Sequence, residues 1–426
     1  MAEIKPFKAW RYNHELSDRI SELTSPLFDV VSENHKKKLY ENEYNSIHLS
    51  TPLEGYQSKS LSARIELWKS KGILVQDRSP TVYVYYQYYA SRINGKELCR
   101  KGFICDVRIH DWSNDVIFKH EATIPTAVAG RKAVLNDTGL NVSAIHGLYS
   151  DPNHELEKYM DEAIKDPIYD TEDYQGVRDV LSRITDNKII EHFVKEMKER
   201  QIILADGHHR YEAALKLRNE LRIERPEQSL EAPFEFQMMF LTNTDSEDFE
   251  ILPTHRLIQN VEGFDGDKFL KALSKYFYVL ELEDDADVFQ LIAGRRWAFG
   301  LYIGDRQFNI RLKQFNQFEM DWDLPDLVKN LDLTVLHYFV IEKVLGITKN
   351  KQAASSKVFY ERSSQVCLKK VLTGQAHCAF LTQPLTIDTV QEVCRSGYTL
   401  PQKSTFFYPK VICGYLFNSI KPEDHE

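Results

Sequence analysis

The stretch IILADGHHRYEAALKLRNEL (residues 202–221) joins a strand pattern to a helix pattern. It opens with four aliphatic residues, a run typical of a strand buried on both faces. Beyond the turn, Ala214, Leu217 and Leu221 recur at the spacing of one helix face. The stretch therefore predicts a buried strand, a glycine turn and a helix, which is the repeating unit of folds that mix strands and helices.

The turn itself is rich in polar groups: Asp206, Gly207, His208, His209 and Arg210. A glycine turn that leads into a helix presents backbone N–H groups and the positive end of the helix dipole, a geometry that binds phosphates or carboxylates. The arginine adds a forked donor, and the aspartate is a candidate ligand of Mg²⁺. A helix cap formed by the aspartate is the simpler alternative, but it leaves the histidines and the arginine unexplained. We interpret the turn as an anion site.

The rest of the chain shows strand and helix patterns in alternation. Two β-rich runs joined by Asn94-Gly95 predict a hairpin. Asp186 is placed to cap a helix that begins at the next residue, and Asp332 is placed to cap another. The pattern restarts beyond about residue 260. We therefore predict an N-terminal region, residues 1–260, and a C-terminal α/β domain, residues 261–426.

The composition is that of a water-soluble globular protein. Of 426 residues, 42% are hydrophobic and 27% are charged, and the net charge of -9 argues against a nucleic-acid partner. No apolar run approaches the ~20 residues that span a bilayer, and the first residues lack the apolar segment of a signal peptide. The six cysteines include no C-x-x-C pair. We expect a cytoplasmic protein with no membrane partner, and we predict no particular oligomeric state.

Further polar clusters interrupt apolar runs. KHEATIPTAVAGRKAVLNDTGLN (residues 119–141) carries His120 and Glu121, which suit either a general base or a surface ion pair. ILPTHRLI (residues 251–258) places His255 and Arg256 between aliphatic residues, which indicates side chains delivered to a cleft or a buried, satisfied histidine.

Two other stretches are candidates for anion contact or for local structure. LPQKSTFFYPK (residues 400–410) carries Lys403 and Ser404 between two prolines. It lacks the glycine frame of a P-loop, so a Walker motif is excluded, but a lysine with a hydroxyl still suits an anion. SPLFDVVSEN (residues 25–34) contains Asp29 and Ser32, which are equally consistent with a helix cap.

Six motifs in this order resemble, over nearly the whole chain, a bacterial family catalogued as domain of unknown function ten-fifteen. The motifs are PLFDVVSEN, HEATIP, NDTGLN, ADGHHRYEAAL, LPTHRL and LPQKSTFFYPK. The chain departs from the family pattern at Phe28, where tyrosine is usual, and at Ile124, where arginine is usual.

The motifs HE and DGHHRYEAA are also similar to those of the ParB/sulfiredoxin-like superfamily, with its free-serine kinases as the closest parallel. This resemblance implies mixed α/β sheets with a ParB/sulfiredoxin-like core in residues 1–260. It implies ATP or ADP and Mg²⁺ as cofactors, and a small-molecule acceptor. Glu121 would be the base, Asp206 the metal or catalytic acid group, and Gly207 to Arg210 the phosphate cradle. The predicted catalytic residues are thus Glu121, Asp206 and His209, and the predicted cofactor-binding residues are Gly207, His208, Arg210, His255, Arg256, Lys403 and Ser404.

Three functions follow as hypotheses. The leading one is a nucleotide- and Mg²⁺-dependent phosphotransferase that acts on a small hydroxyl-bearing metabolite, with free L-serine as the best candidate. The second is a nucleotide-hydrolysing switch protein of the ParB type. The third is a metal-dependent hydrolase that uses His120, His208, His209 and His255. Neighbouring histidines rarely point at one ion, and the metalloprotease pattern needs them four residues apart on a helix, which disfavours the third.

Overall fold

The strand–turn–helix unit of residues 202–221 is present in the computed structural model. Strand Ile202–Asp206 leads through Gly207 into helix His208–Glu224. The structure describes residues 1–27, 30–51, 59–283, 285–314, 320–352 and 355–425.

Two units divide the chain. The first contains Met1–Lys119, Thr123–Glu250 and Phe407–Glu426, and the second contains His120–Ala122 and Ile251–Phe406. The sequence-predicted boundary at residue 260 thus lies inside the second unit, and the last segment of the chain belongs to the first. Patterning along the chain does not reveal this return, because it depends on strand pairing between residues far apart in sequence. In the first unit, Asn418–Ser419 pairs with Leu140–Asn141.

In the described part of the first unit, nine strands form one mixed sheet. Across the sheet the order is Ile117–Phe118, Ile202–Asp206, Ile145–Tyr149, Phe236–Asn243, Glu97–Arg108, Val82–Ala90, Arg178–Ile184 and Tyr169–Glu172, with Ile4–Lys5 paired to Glu97–Arg108 outside this order. Strand Ile202–Asp206 runs parallel to Ile117–Phe118 and antiparallel to Ile145–Tyr149. A second small sheet pairs Trp10–Tyr12 with Leu74–Gln76.

The predicted hairpin at Asn94-Gly95 is confirmed. Strands Val82–Ala90 and Glu97–Arg108 pair antiparallel on either side of it, and Gly95 has φ 72°. The tyrosines of the first strand pack within the sheet layers, since Tyr83, Tyr85 and Tyr86 are at most 1% exposed. They therefore belong to the hydrophobic core.

Helices cover the sheet of the first unit. Its α-helices are Ile20–Leu23, Glu33–Tyr40, Ile47–Ser50, Lys59–Ser70, Pro125–Thr138, Glu157–Ala163, Asn187–Met197 and His208–Glu224. Its 3₁₀ helices are His14–Arg19, Trp112–Asn114, Pro233–Glu235 and Pro422–Asp424. Asp186 caps Asn187–Met197 as predicted, and Ser32 caps Glu33–Tyr40. Phe28 and Asp29 lie outside the described residues.

The described part of the second unit holds one antiparallel sheet of six strands. Their order is Phe277–Glu281, Arg306–Leu312, Ala298–Ile303, Cys378–Leu381, His255–Ile258 and Val358–Glu361. Its helices are Gly266–Leu273, Val288–Ile292, Asp326–Lys329, Asp332–Val335, the π-helix Leu336–Val344, Lys349–Gln352, Ser364–Leu372 and Ile387–Arg395. Two further strands, Glu250–Leu252 and Phe406–Tyr408, lie where the chain passes from one unit to the other.

Asp332 differs from its sequence-based prediction. It is the first residue of its helix rather than the cap, and its Oδ1 accepts a hydrogen bond of 2.7 Å from the backbone N–H of Trp297. The predicted mixed α/β class is nevertheless confirmed. No helix among the described residues combines the length and apolarity needed to cross a membrane.

Candidate functional site

Gly207 determines the shape of the turn after strand Ile202–Asp206. Its φ of 95° lies in the left-handed region, which L side chains rarely adopt. A Cβ at this position would lie 2.9 Å from Nη2 of Arg210 and 3.1 Å from Cγ1 of Ile145. Glycine thus lets the chain turn sharply while the Arg210 side chain packs against the turn.

Asp206 is an ion-paired carboxylate and not the helix cap. Its Oδ1 accepts a hydrogen bond of 2.6 Å from Nζ of Lys410, and its Oδ2 accepts one of 2.9 Å from Nη2 of Arg210. The three side chains are 17%, 13% and 12% exposed, in that order. Burial alone would raise the pKa of Asp206, but the two cations and His208 outweigh it and hold that pKa well below its usual range.

Arg210 is fixed by several acceptors of the protein. Its Nη1 donates to Oγ of Ser143 at 2.7 Å and to the carbonyl oxygen of Ala144 at 2.8 Å, while Nη2 donates to Asp206. These bonds orient the planar guanidinium in the first turn of helix His208–Glu224. Lys410 and Arg210 together carry two positive charges against the one negative charge of Asp206. The helix N-terminus adds further positive potential at the same place.

A buried polar network supports the segment that carries Lys410. Nε2 of Gln87 donates to the carbonyl oxygen of Lys410 at 3.1 Å and to Oδ1 of Asp179 at 2.8 Å. Arg100, 2% exposed, donates to the carbonyl oxygen of Pro409 and to Oε1 of Gln87. Burial raises the pKa of Asp179 to about 7, although hydrogen bonds from Tyr85 and Gln87 oppose the shift. The lysine is therefore held through its backbone as well as through Asp206.

One histidine of the turn accepts a hydrogen bond from the backbone, and the other is buried. Nε2 of His209 accepts a hydrogen bond of 3.0 Å from the backbone N–H of Ile124, at the start of helix Pro125–Thr138. An accepting Nε2 requires the neutral ring with its proton on Nδ1. His208 is 7% exposed and helps to lower the pKa of Asp206. Ile124, where the family usually has arginine, thus contributes its backbone to this arrangement.

The second unit brings Glu121 together with Ser404. Oε1 of Glu121 accepts a hydrogen bond of 3.0 Å from the backbone N–H of Ser404, and its side chain is 17% exposed. Nε2 of His120 lies 2.7 Å from Oγ1 of Thr405. The backbone of Leu400 donates to the carbonyl oxygen of His120 at 2.7 Å. Within the second unit, residues 120–121 and the 400–405 loop therefore form one hydrogen-bonded cluster.

Arg256 and His255, predicted as cofactor-binding residues, are both buried. Arg256 supports that loop, whereas Nδ1 of His255 accepts a hydrogen bond of 3.2 Å from the backbone N–H of Thr382. Arg256 is 0% exposed and donates to the carbonyl oxygens of Thr254, Gln402 and Lys403. Burial lowers the pKa of Arg256 to about 10. Burial, aided by the charge of Arg256, also lowers the pKa of His255 to about 4, which keeps this ring neutral. Both side chains therefore have partners within the protein. A buried guanidinium must satisfy its donors internally, which explains the carbonyl partners of Arg256.

The metal prediction at Asp206 does not fit this arrangement. Both of its carboxylate oxygens accept hydrogen bonds from cations, so Mg²⁺ would meet a carboxylate whose charge is already balanced. In the parts of the chain that the structure describes, no three His, Cys, Asp or Glu side chains are grouped as metal ligands.

Gly207→Ala is expected to lower the free energy of unfolding by about 1–3 kcal/mol, because alanine meets both an unfavourable φ and the Arg210 side chain. The matched control is Gly130→Ala in helix Pro125–Thr138, where a Cβ meets nothing within 4 Å. That change is expected to raise stability by about 0.5–1 kcal/mol. Urea denaturation of both variants measures the two effects. Equal stability of the variants would contradict the assignment of strain to Gly207.

Comparison with known proteins assigns the chain to a family. The model of the family described as "Protein of unknown function (DUF1015)" matches residues 4–334. The chain belongs to this family. Among curated proteins, none is a significant match.

Solved structures resemble the fold distantly. Free serine kinase in complex with AMP is 15% identical, with a TM-score of 0.38 over 73% of this chain and 91% of that one. A conserved hypothetical protein from Pyrococcus furiosus is 15% identical, with a TM-score of 0.37 over 73% and 94%. SbnI with a C-terminal truncation from Staphylococcus aureus is 16% identical, with a TM-score of 0.37 over 74% and 87%. At these values the likeness carries no functional conclusion for this DUF1015 chain.

Sequence reasoning missed two partners of the turn, Lys410 and Ser143. Lys410 is the last residue of the LPQKSTFFYPK motif. The anion prediction was made for the first lysine of that motif, Lys403. Ser143 follows the NDTGLN motif by two residues. Both lie beside motifs that carry the family resemblance, and that proximity is the signal by which they could have been found.

Proposed function

We propose that this protein is a nucleotide-dependent phosphotransferase that acts on a small hydroxyl-bearing metabolite, with free L-serine as the first acceptor to test. The observation that carries the proposal is the cluster of Asp206, Arg210 and Lys410 at the N-terminus of helix His208–Glu224. Phosphoryl transfer depends mainly on alignment and on stabilisation of charge at the phosphate oxygens. The cluster supplies both.

The arrangement is organised by contacts within the protein. Asp206 holds Lys410 and Arg210 in place, and Ser143 holds the other side of the arginine. Charges that are already positioned need little reorganisation when phosphate oxygens arrive, which is the property that makes such groups effective in catalysis. The excess of one positive charge, together with the helix dipole, favours an anionic ligand. We assign ATP or ADP as that ligand.

For Glu121 we propose the role of general base toward the acceptor hydroxyl. The motif resemblance implies this role, and the hydrogen bond from Ser404 supports it because it orients the carboxylate. Lys403 and Ser404 lie in the loop that provides this bond, and we propose that they assist binding. No step is assigned to Mg²⁺, since the charge of Asp206 is already balanced by Arg210 and Lys410.

Incubation of the folded protein with ATP or ADP and L-serine, with and without Mg²⁺, tests the proposal. ³¹P NMR is expected to show O-phosphoserine together with the nucleotide product. Glu121→Gln is expected to abolish transfer but to keep the nucleotide-induced thermal shift. Hydrolysis of the nucleotide without transfer would favour the switch-protein hypothesis. Absence of phosphoserine with either nucleotide, from protein that retains its fold, would reject serine as the acceptor.

A further inference from the structure

A small pocket lies beside Arg210 in the first unit, and nothing in the proposed nucleotide chemistry uses it. Its volume is about 40 Å³. The polar part of its lining includes Ser50, Arg131, Asn141 and Ser143, and Leu135 and Leu140 contribute to an apolar wall. The pocket thus borders the proposed phosphate site through two shared side chains, Ser143 and Arg210.

Three polar atoms of the lining lack partners. Nδ2 of Asn141, Oγ of Ser50 and Nε of Arg210 are buried, and none has a hydrogen-bond partner within the described ranges of the chain. Asn141 is 5% exposed and Ser50 is 3% exposed. Buried donors without acceptors are costly and rare in native proteins. Three of them around one pocket point to a ligand that brings acceptor atoms.

The charge of the lining selects an anion. Arg131 and Arg210 both line the pocket, and among the described residues of the lining there is neither aspartate nor glutamate. Arg131 is held there by a hydrogen bond of 2.9 Å from its Nη1 to the carbonyl oxygen of Ser50. An acceptor group with negative charge therefore meets two guanidinium groups and unpaired donors in the same small volume.

The volume restricts the size of the anion. One water-sized group needs roughly 10–15 Å³ of such space, so about three heavy atoms fit. A carboxylate has three heavy atoms and matches this size, whereas a purine base is several times larger. The apolar wall formed by Leu135 and Leu140 suits the carbon that carries the carboxylate.

We propose that this pocket binds the carboxylate of a small organic acid. This inference rests on the proposed function. In that function the pocket would select acceptors that carry a carboxylate beside the reacting hydroxyl, as hydroxy amino acids and hydroxy acids do. Asn141 and Ser50 are then specificity-determining residues, and Arg210 contacts both the carboxylate and Asp206. A pocket that holds only water is the alternative.

Calorimetric titration without nucleotide provides the first test. The ligands are L-serine, L-lactate and serinol, in which a hydroxymethyl group replaces the carboxylate of serine. Both carboxylates are expected to bind, and serinol is expected to bind at least about tenfold more weakly. Equal binding of serinol and L-serine, or no binding of any carboxylate, would overturn the proposal.

Two variants probe the pocket itself. Asn141→Asp replaces the amide donor by a carboxylate, which repels the carboxylate of the ligand. The variant is expected to abolish binding of L-serine. Ser50→Ala removes one hydroxyl and is expected to weaken binding about tenfold, which keeps the test decisive if Asn141→Asp does not fold. Lys132→Gln is the control, because it removes a charge from helix Pro125–Thr138 outside the lining, where Lys132 pairs with Glu220. Unchanged affinity in folded Asn141→Asp and in Ser50→Ala would overturn the proposal.

The two proposals fail in different ways. Binding of L-serine that depends on Asn141, without any phosphoryl transfer, would reject the phosphotransferase and retain the pocket. Phosphorylation of serinol as rapid as that of L-serine would retain the phosphotransferase and reject the pocket as its acceptor site.

Discussion

Asp206→Asn is expected to lower the free energy of unfolding by about 3 kcal/mol at pH 7. The change removes the only negative charge from a cluster in which Lys410 and Arg210 are 13% and 12% exposed. Loss of one partner from a largely buried ion pair leaves the other charges without compensation. Urea denaturation followed by circular dichroism measures the difference from the wild-type protein.

The same variant has a defined pH dependence. The pKa of Asp206 is held below its usual range by its cations, so its carboxylate stabilises the folded state above the unfolded value near 3.9. That contribution is lost as pH falls through the folded pKa. The difference between wild type and Asp206→Asn is therefore expected to stay constant from pH 8 to about pH 4 and to shrink below it.

The control for this variant is Asp170→Asn, which breaks an ion pair with Arg178 that is 39% and 52% exposed. Exposed pairs contribute at most about 1 kcal/mol. Equal losses in the two variants would contradict the buried, organised character assigned to the Asp206 cluster.

Lys410→Met is expected to lower kcat for phosphoryl transfer at least about 100-fold. Removal of one positioned charge that stabilises such a transition state lowers the rate by a factor of that order. Asp206 keeps its bond from Arg210 in this variant, so the fold is expected to persist. Initial rates at saturating nucleotide and acceptor measure the change.

Lys216→Met serves as the matched control, because Lys216 lies on helix His208–Glu224 with its side chain 51% exposed. Its rate is expected to equal that of the wild type. A Lys410→Met variant that retains the wild-type rate would remove Lys410 from the phosphate site and would leave its pair with Asp206 a structural one.

Local features of the site were predictable from the chain alone. The aliphatic run, Gly207 and the helical spacing that follows define strand, turn and helix, because each depends on neighbours a few residues away. The Asn94-Gly95 hairpin and the Asp186 cap are correct for the same reason. The roles of Arg256 and His255 were not predictable, because an arginine between aliphatic residues does not show whether its donors meet a ligand or the backbone of a loop some 146 residues later.

The sequence by itself determined the mixed α/β class, the family and the position of the strand–turn–helix unit for which anion binding is proposed. Only the tertiary structure decided what Asp206 does. In sequence it has the features of a helix cap or a metal ligand, and in the fold it is the counter-ion of Arg210 and of Lys410, which lies 204 residues away. Tertiary structure also placed Asn141 in the lining of a pocket and residues 407–426 in the first unit. Such pairings arise from the closure of long chain segments, and the local preferences that set strands, turns and helices do not encode them.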